Sequence, residues 1–212
     1  MATGAVEGSA AAGSAKEPRG NHQRLDPETR RAQLVAAAVE VFRGRDPNEV
    51  SFEEVAEAAG VSRSLVYAYF QDRGGLIAEV YLHNVAHLDA ELSKALDTGL
   101  ADEVQLRRVV RRYLLFARDN EPSWTMLNTA GRIRHPAVQA ARRKRIERIA
   151  AHWDDPKTAR SVAQAVIGLL EAGARDWLDY RDRGLDRTTD LLVGLVWSGL
   201  SGLSHRGVLV PR

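Results

Sequence analysis

The 212-residue chain contains no cysteine. Disulfide frameworks and thiolate metal sites are therefore excluded, and a reducing compartment, the cytoplasm by default, is the expected setting. Long apolar runs are also missing. The stretch LLVGLVWSGLSGL, from Leu191 to Leu203, falls well short of the roughly 20 residues a membrane span needs, so it is expected to be a buried helix with no membrane partner. The first 25 residues lack both a basic start and a sustained apolar core, so they are read as a disordered arm rather than a secretory signal. Charge of one sign is scarce overall. A formal net charge of +2 argues only weakly for a polyanionic partner, which makes the placement of the charges the better guide.

Several catalytic patterns are absent too. There is no phosphate-cradling glycine loop, no G-x-S-x-G elbow and no Glu-x-x-His pair of the type used by helical di-metal bundles. His83 and His87 stand four apart and could share a metal, which leaves a metal-dependent helical enzyme as the competing reading. No Glu follows His83, so the H-E-x-x-H pattern is not formed. No enzyme activity, metal or cofactor is expected.

What the chain does have is helical periodicity along nearly its whole length after Asp26, with few alternating β-branched runs and no internal repeat. An all-α fold follows. Asp26-Pro27-Glu28 has the form of an N-cap with Pro in the first turn, where its missing N–H would have had no partner anyway. Ser51-Phe52-Glu53-Glu54 has the Ser-x-x-Glu form of a capping box, and the short helix it opens closes at Gly60. Ser62 starts another short helix through Phe70, and a fourth begins near Gly74-Gly75. Longer amphipathic segments follow at about 102–118, 123–132, 136–153, 157–181 and 186–203. The domains are expected as an arm at 1–25, a three-helix head at 26–74, a helical body at 75–204 and a tail at 205–212.

Two short helices joined by a glycine turn have the form of a helix-turn-helix, whose second helix enters the DNA major groove. That accounts for the composition of AAGVSRSLVYAYFQDRGGL at 58–76. Val66 and Phe70 are expected to face the head core, leaving Ser62, Arg63, Ser64, Tyr67 and Tyr69 outward for DNA. Arg63 suits bidentate contact with guanine, and Tyr67 a phosphate or a thymine methyl. Ser51 and Arg73, near helix N-termini, are expected on phosphates. A plain helical hairpin with half-buried aromatics fits the same lengths. Residues 26–80 also carry six arginines against ten acids, so Glu53, Glu54 and Glu57 are expected to point away from DNA.

The head resembles the TetR family of transcriptional regulators. The resemblance rests on about 45 residues: Ala38 with Phe42, Ser51, Ala56 to Ser62, Val66-Tyr67-Ala68-Tyr69-Phe70 and Arg73. Leu65 stands where the family commonly has Thr, Ala68 replaces a frequent polar residue, and Gly74-Gly75 replaces a helix-favouring pair. The resemblance implies a ligand-responsive regulator, with repression as the expected sense, that binds a palindromic operator in double-stranded DNA as a homodimer.

It further implies that the body holds a small effector and pairs with a second chain. Ala165, Leu169, Ala172, Leu191, Gly194, Leu195, Ser198 and Gly202 form a small-residue seam fit for a dimer interface, although such a seam can also pack within one chain. Tyr113, Phe116, Trp124, Met126, Leu127 and Trp177 could line an apolar pocket with Asn128 as its polar anchor, or be plain core. From Arg132 to Arg148 there are seven bases and one acid. Most such runs are solvated faces; an apolar cavity beside this one would suit an amphiphile with an anionic head, such as a fatty acyl coenzyme A thioester.

Overall fold

A computed structural model describes residues 25–46, 49–96, 102–129 and 134–210. Residues 1–24 of the expected 1–25 arm, Arg132 and the last two residues lie outside them. The described residues form helices α1 (Pro27–Val41), α2 (Phe52–Ala59), α3 (Arg63–Phe70), α4 (Arg73–Ser93), α5 (Glu103–Asp119), α6 (Glu121–Thr129), α7 (Pro136–Ala150), α8 (Pro156–Tyr180) and α9 (Leu185–His205), with no strand among them. The starts follow the caps legible in the sequence. The Asp26 carboxylate accepts from the Glu28 and Thr29 N–H groups, Asp102 caps α5, and Asp155 caps α8 ahead of Pro156.

The head is built by burying one stripe of each short helix. Leu34, Val35 and Ala38 of α1 meet Phe52 and Val55 of α2, Val66 and Phe70 of α3, and Leu76, Ile77 and Val80 from the start of α4. Met126 of α6 joins this cluster, so one body side chain closes the head core. Gly60 ends α2 at φ +65°, a left-handed conformation that costs glycine little and lets the chain turn sharply into α3.

In the body, α4 to α9 enclose a second cluster around Leu88, Val110, Leu114, Trp124, Trp177 and Leu192. The end of the chain packs as well: Leu209 is 1% exposed among Ile146, Ala150, Ala159 and Ala163, and the Asp154 N–H donates to the Val210 carbonyl at 3.0 Å. Leu209 and Val210 of the expected tail thus pack against the body.

The Gly74-Gly75 pair has a packing cause. A Cβ on Gly75 would lie 2.5 Å from the Phe70 carbonyl oxygen, and one on Gly74 would lie 2.8 Å from the His135 ring. The turn between α3 and α4 closes so tightly that backbone touches backbone at Gly75. Gly75→Ala should lower stability by about 1–3 kcal/mol, because a main-chain carbonyl must move. Gly74→Ala should cost less, since a side chain can turn aside. Urea melts of the two variants check the order.

Candidate nucleic-acid interface

Helix α3 presents its outer face as the sequence pattern requires. Val66 and Phe70 are buried, whereas Ser62, Arg63, Ser64 and Tyr67 are exposed, Tyr67 at 42%. Arg63 Nη2 donates to the Tyr67 hydroxyl at 3.0 Å, and the guanidinium sits 5.2 Å from the Tyr67 ring centroid. The two side chains one turn apart therefore form a single ridge. Phe52 packs edge-on beneath Tyr67, with ring centroids 4.4 Å apart, which holds the phenol up from α2. Tyr69 is only half-exposed, tilted against Phe70 and partly packed on the head core.

The N-terminus of α3 is open. Ser62 is its N-cap residue, but its hydroxyl bonds to Ser64 Oγ at 3.0 Å and caps no backbone N–H. Free N–H groups at a helix start attract phosphate oxygens. Helix α2 is the opposite case. Ser51 Oγ accepts from the Glu54 N–H at 3.2 Å and donates to Glu54 Oε2 at 2.8 Å, while the Ser51 N–H donates to the same carboxylate oxygen at 2.8 Å. Those bonds, first the Ser51 N–H and then Arg45, push the Glu54 carboxyl down to about 2. The Ser51 hydroxyl proton is already spent on Glu54, so a phosphate at this position would have to displace that carboxylate. Arg73 opens α4 and is exposed.

The three acids of α2 do not all turn away from this face. Glu54 is held in its cap and by Arg45 at 2.6 Å, but Glu53 forms an ion pair with Arg63. The cause is the close pairing of the first turns of α2 and α3, which puts Glu53 beside the ridge. The pair is exposed on both sides, so water and salt screen it. Tyr67, then Glu53, stabilise the charged guanidinium of Arg63. Glu53 thus holds Arg63 beside the exposed face of α3.

Residues 34–80 match the family described as bacterial regulatory proteins, tetR family, and residues 103–199 match the tetracyclin repressor-like C-terminal domain. A TetR-like transcriptional regulator from Rhodococcus sp. RHA1 superposes with a TM-score of 0.63 and 30% identity, over 84% of this chain and 100% of that one. An uncharacterized HTH-type transcriptional regulator of Mycobacterium tuberculosis is 32% identical over 171 residues, 72% of this chain and 82% of the relative. The chain belongs to the TetR family. A further relative, the HTH-type transcriptional activator FasR of Mycolicibacterium smegmatis, is 28% identical over 88% of this chain and 91% of its own. The protein is thus a TetR-family DNA-binding transcriptional regulator, not an enzyme, with its helix-turn-helix in the head.

The residues expected around an effector are mostly packed solid in this TetR-family body. Trp124 Nε1 donates to the Tyr113 hydroxyl at 2.9 Å, and burial pushes that phenol up to about 12. Phe116 and Trp177 lie in the same core, Met126 points into the head, and the Asn128 side chain donates back to the Trp124 carbonyl at 2.8 Å. Leu127 alone of the seven lines the hollow that does exist between α4, α6, α7 and α8, about 180 Å³ in volume. Its other walls are Tyr81, Arg142, Arg145, Ile146, Gln164, Ile167, Gly168 and Glu171. A second hollow of about 290 Å³ at the joint of head and body is bordered by Phe42, Asp46, Pro122 and Met126.

Arg142 and Arg145 belong to the basic run beside which a cavity was expected, whereas the other wall residues apart from Leu127 escaped the sequence reading for an identifiable reason. Aromatic residues suggested a pocket, yet large aromatics fill space; the better signal was Arg142 and Arg145 at the same spacing as Val138 and Ile146, on the inward stripe of α7. Of the seam residues, Ala165, Ala172, Leu191, Gly194, Leu195 and Ser198 are exposed on adjoining faces of α8 and α9, whereas Leu169 turns into the core and Gly202 is half-buried. His83 is exposed, and His87 stands edge-on to Phe116 at 5.2 Å. Among the described residues no three metal-ligating side chains converge, and no described helix is long and apolar enough to cross a membrane.

Proposed function

We propose that this TetR-family regulator works as a homodimer on a palindromic operator, with Arg63 reading base edges, Tyr67 and Tyr69 flanking it, and Ser62, Ser64 and Arg73 on phosphates. An amphiphilic effector in the body sets its affinity. The carrying observation is the joined Arg63–Tyr67 ridge, exposed on the face of α3 opposite the buried Val66 and Phe70.

Dimerisation is supported by glycines that the single chain does not require. A Cβ on Gly194 or Gly199 would meet nothing within 4 Å, although each glycine inside a helix costs about 1 kcal/mol relative to Ala. Beside them Leu191 and Leu195 are 45% and 53% exposed. Small residues flanked by bare leucines on neighbouring helices suit the close approach of a second copy, and two-fold pairing spaces two recognition helices about 34 Å apart for successive major-groove faces. The cavity lies against both parts of this machinery: Tyr81 is on α4, which continues from the head, and Gly168 is on α8, whose outer side carries the seam. An effector there would bias the spacing of the heads.

Repression was the expected sense, and the FasR relative is named an activator; the position of the operator relative to its promoter decides between them. Selection of bound duplexes from a random pool tests the reading. Enrichment of an inverted repeat supports it, and binding that shows no sequence preference at any salt concentration overturns it.

A further inference from the structure

The cavity between α4, α6, α7 and α8 differs from an ordinary packing defect in the charges on its walls. Of the basic run on α7, only Arg142 and Arg145 line it; Arg143, Lys144 and Arg148 are exposed, and Arg148 pairs with Asp89 at 2.5 Å. Across the space stands Glu171 of α8. Burial raises its carboxyl above the usual range, with Arg145, then Arg142 and Arg175, pulling the other way. Among the described residues Glu171 nonetheless makes no ion pair or hydrogen bond, so opposite charges face each other over a gap they do not close.

The roof of the cavity adds a polar group that burial alone would disfavour. Tyr81 is 3% exposed and lines the space, yet its hydroxyl bonds to no other group among the described residues. The hydroxyl opens on the cavity, where it is free to donate to an occupant of that space. Leu127, Ile146 and Ile167 supply the apolar wall, and Gln164 one more polar side chain near the mouth. Two guanidinium groups, a phenol donor and a short apolar wall are complementary to a carboxylate on a hydrocarbon stub.

We propose that this cavity binds a compact organic carboxylate, held at its anionic end by Arg142 and Arg145 with the Tyr81 hydroxyl donating to it, its chain against Leu127, Ile146 and Ile167. This rests on the reading of the body as the effector domain and names the chemistry of that effector. Size sets the class. About 180 Å³ is below the roughly 300–1,000 Å³ of pockets for drug-sized ligands, which favours a short chain. Glu171 has a distinct part: its carboxylate competes with the ligand for the two arginines, so removing its charge should favour binding.

Calorimetric titration of the full chain with hexanoate, hexanol, hexylamine and hexanoyl coenzyme A tests the assignment. Hexanoate should bind, and hexanol and hexylamine should bind at least about tenfold more weakly, the difference a charge-assisted pair supplies. Arg145→Gln and Arg142→Gln should each weaken hexanoate by about tenfold or more, and Glu171→Gln should tighten it. If the arginine variants fail to fold, as judged by circular dichroism, the Glu171→Gln and hexanol arms decide alone. Equal binding of hexanol, weaker binding to Glu171→Gln, or binding of hexanoyl coenzyme A without hexanoate overturns the proposal. No hexanoate heat from a protein that still selects its operator removes the cavity assignment only; hexanoate heat from a protein that selects no operator removes the regulator reading only.

Discussion

Leu191→Glu combined with Leu195→Glu is expected to convert the protein to a monomer and to weaken operator binding by about 10²–10⁴-fold, the advantage that linking two sites ordinarily gives. Both leucines are substantially exposed and sit four apart on α9, so the substitutions leave the chain's own core intact and thermal unfolding of the single chain should change little. Across a two-fold axis, however, four carboxylates would meet in a face made of the small residues Ala165, Ala172, Gly194 and Ser198. Burying unpaired charge is far costlier than the leucine contacts it replaces. Sedimentation equilibrium and gel shift measure the two effects. A variant that stays dimeric and keeps its operator affinity would mean that the second copy docks elsewhere.

The second large effect concerns base reading. Arg63→Ala should weaken binding to the selected operator by roughly 5- to 150-fold per half-site and relax the choice of base beneath it, while leaving binding to random DNA nearly unchanged. Arg73→Ala should weaken every duplex alike and reduce the salt slope by about 1, the signature of one phosphate contact. Glu53→Gln separates the partners of the pair: losing a carboxylate near the phosphates should raise affinity for all sequences, while Arg63, still bonded to Tyr67, keeps its preference. Should Arg63→Ala lose cognate and random DNA in equal measure, its guanidinium grips the backbone and the bases are read elsewhere.

Local signals made the head legible in advance. Capping residues such as Asp26 and Ser51 act on their own helix, and Val66 with Phe70 reveals a buried stripe without knowledge of distant residues. The side of α2 on which Glu53 would lie was not legible, because it depends on how two helices cross rather than on either one alone. The body shows the same division. Its helix starts followed from Asp102, His135-Pro136 and Asp155-Pro156, but the cavity depends on a void left when four helices pack, and aromatic content points to filled volume rather than to voids. Gly75 illustrates a third kind of information. Its reason for being glycine is a carbonyl five residues earlier, brought near by the turn itself.

Met126 carries a consequence for anyone who would recombine these regulators. A chimera cut at the α3–α4 turn would carry the donor's recognition helix but keep the recipient's plug, and the fit between the two was never selected. Grafts that transplant new operator specificity should therefore carry position 126 along with the first four helices.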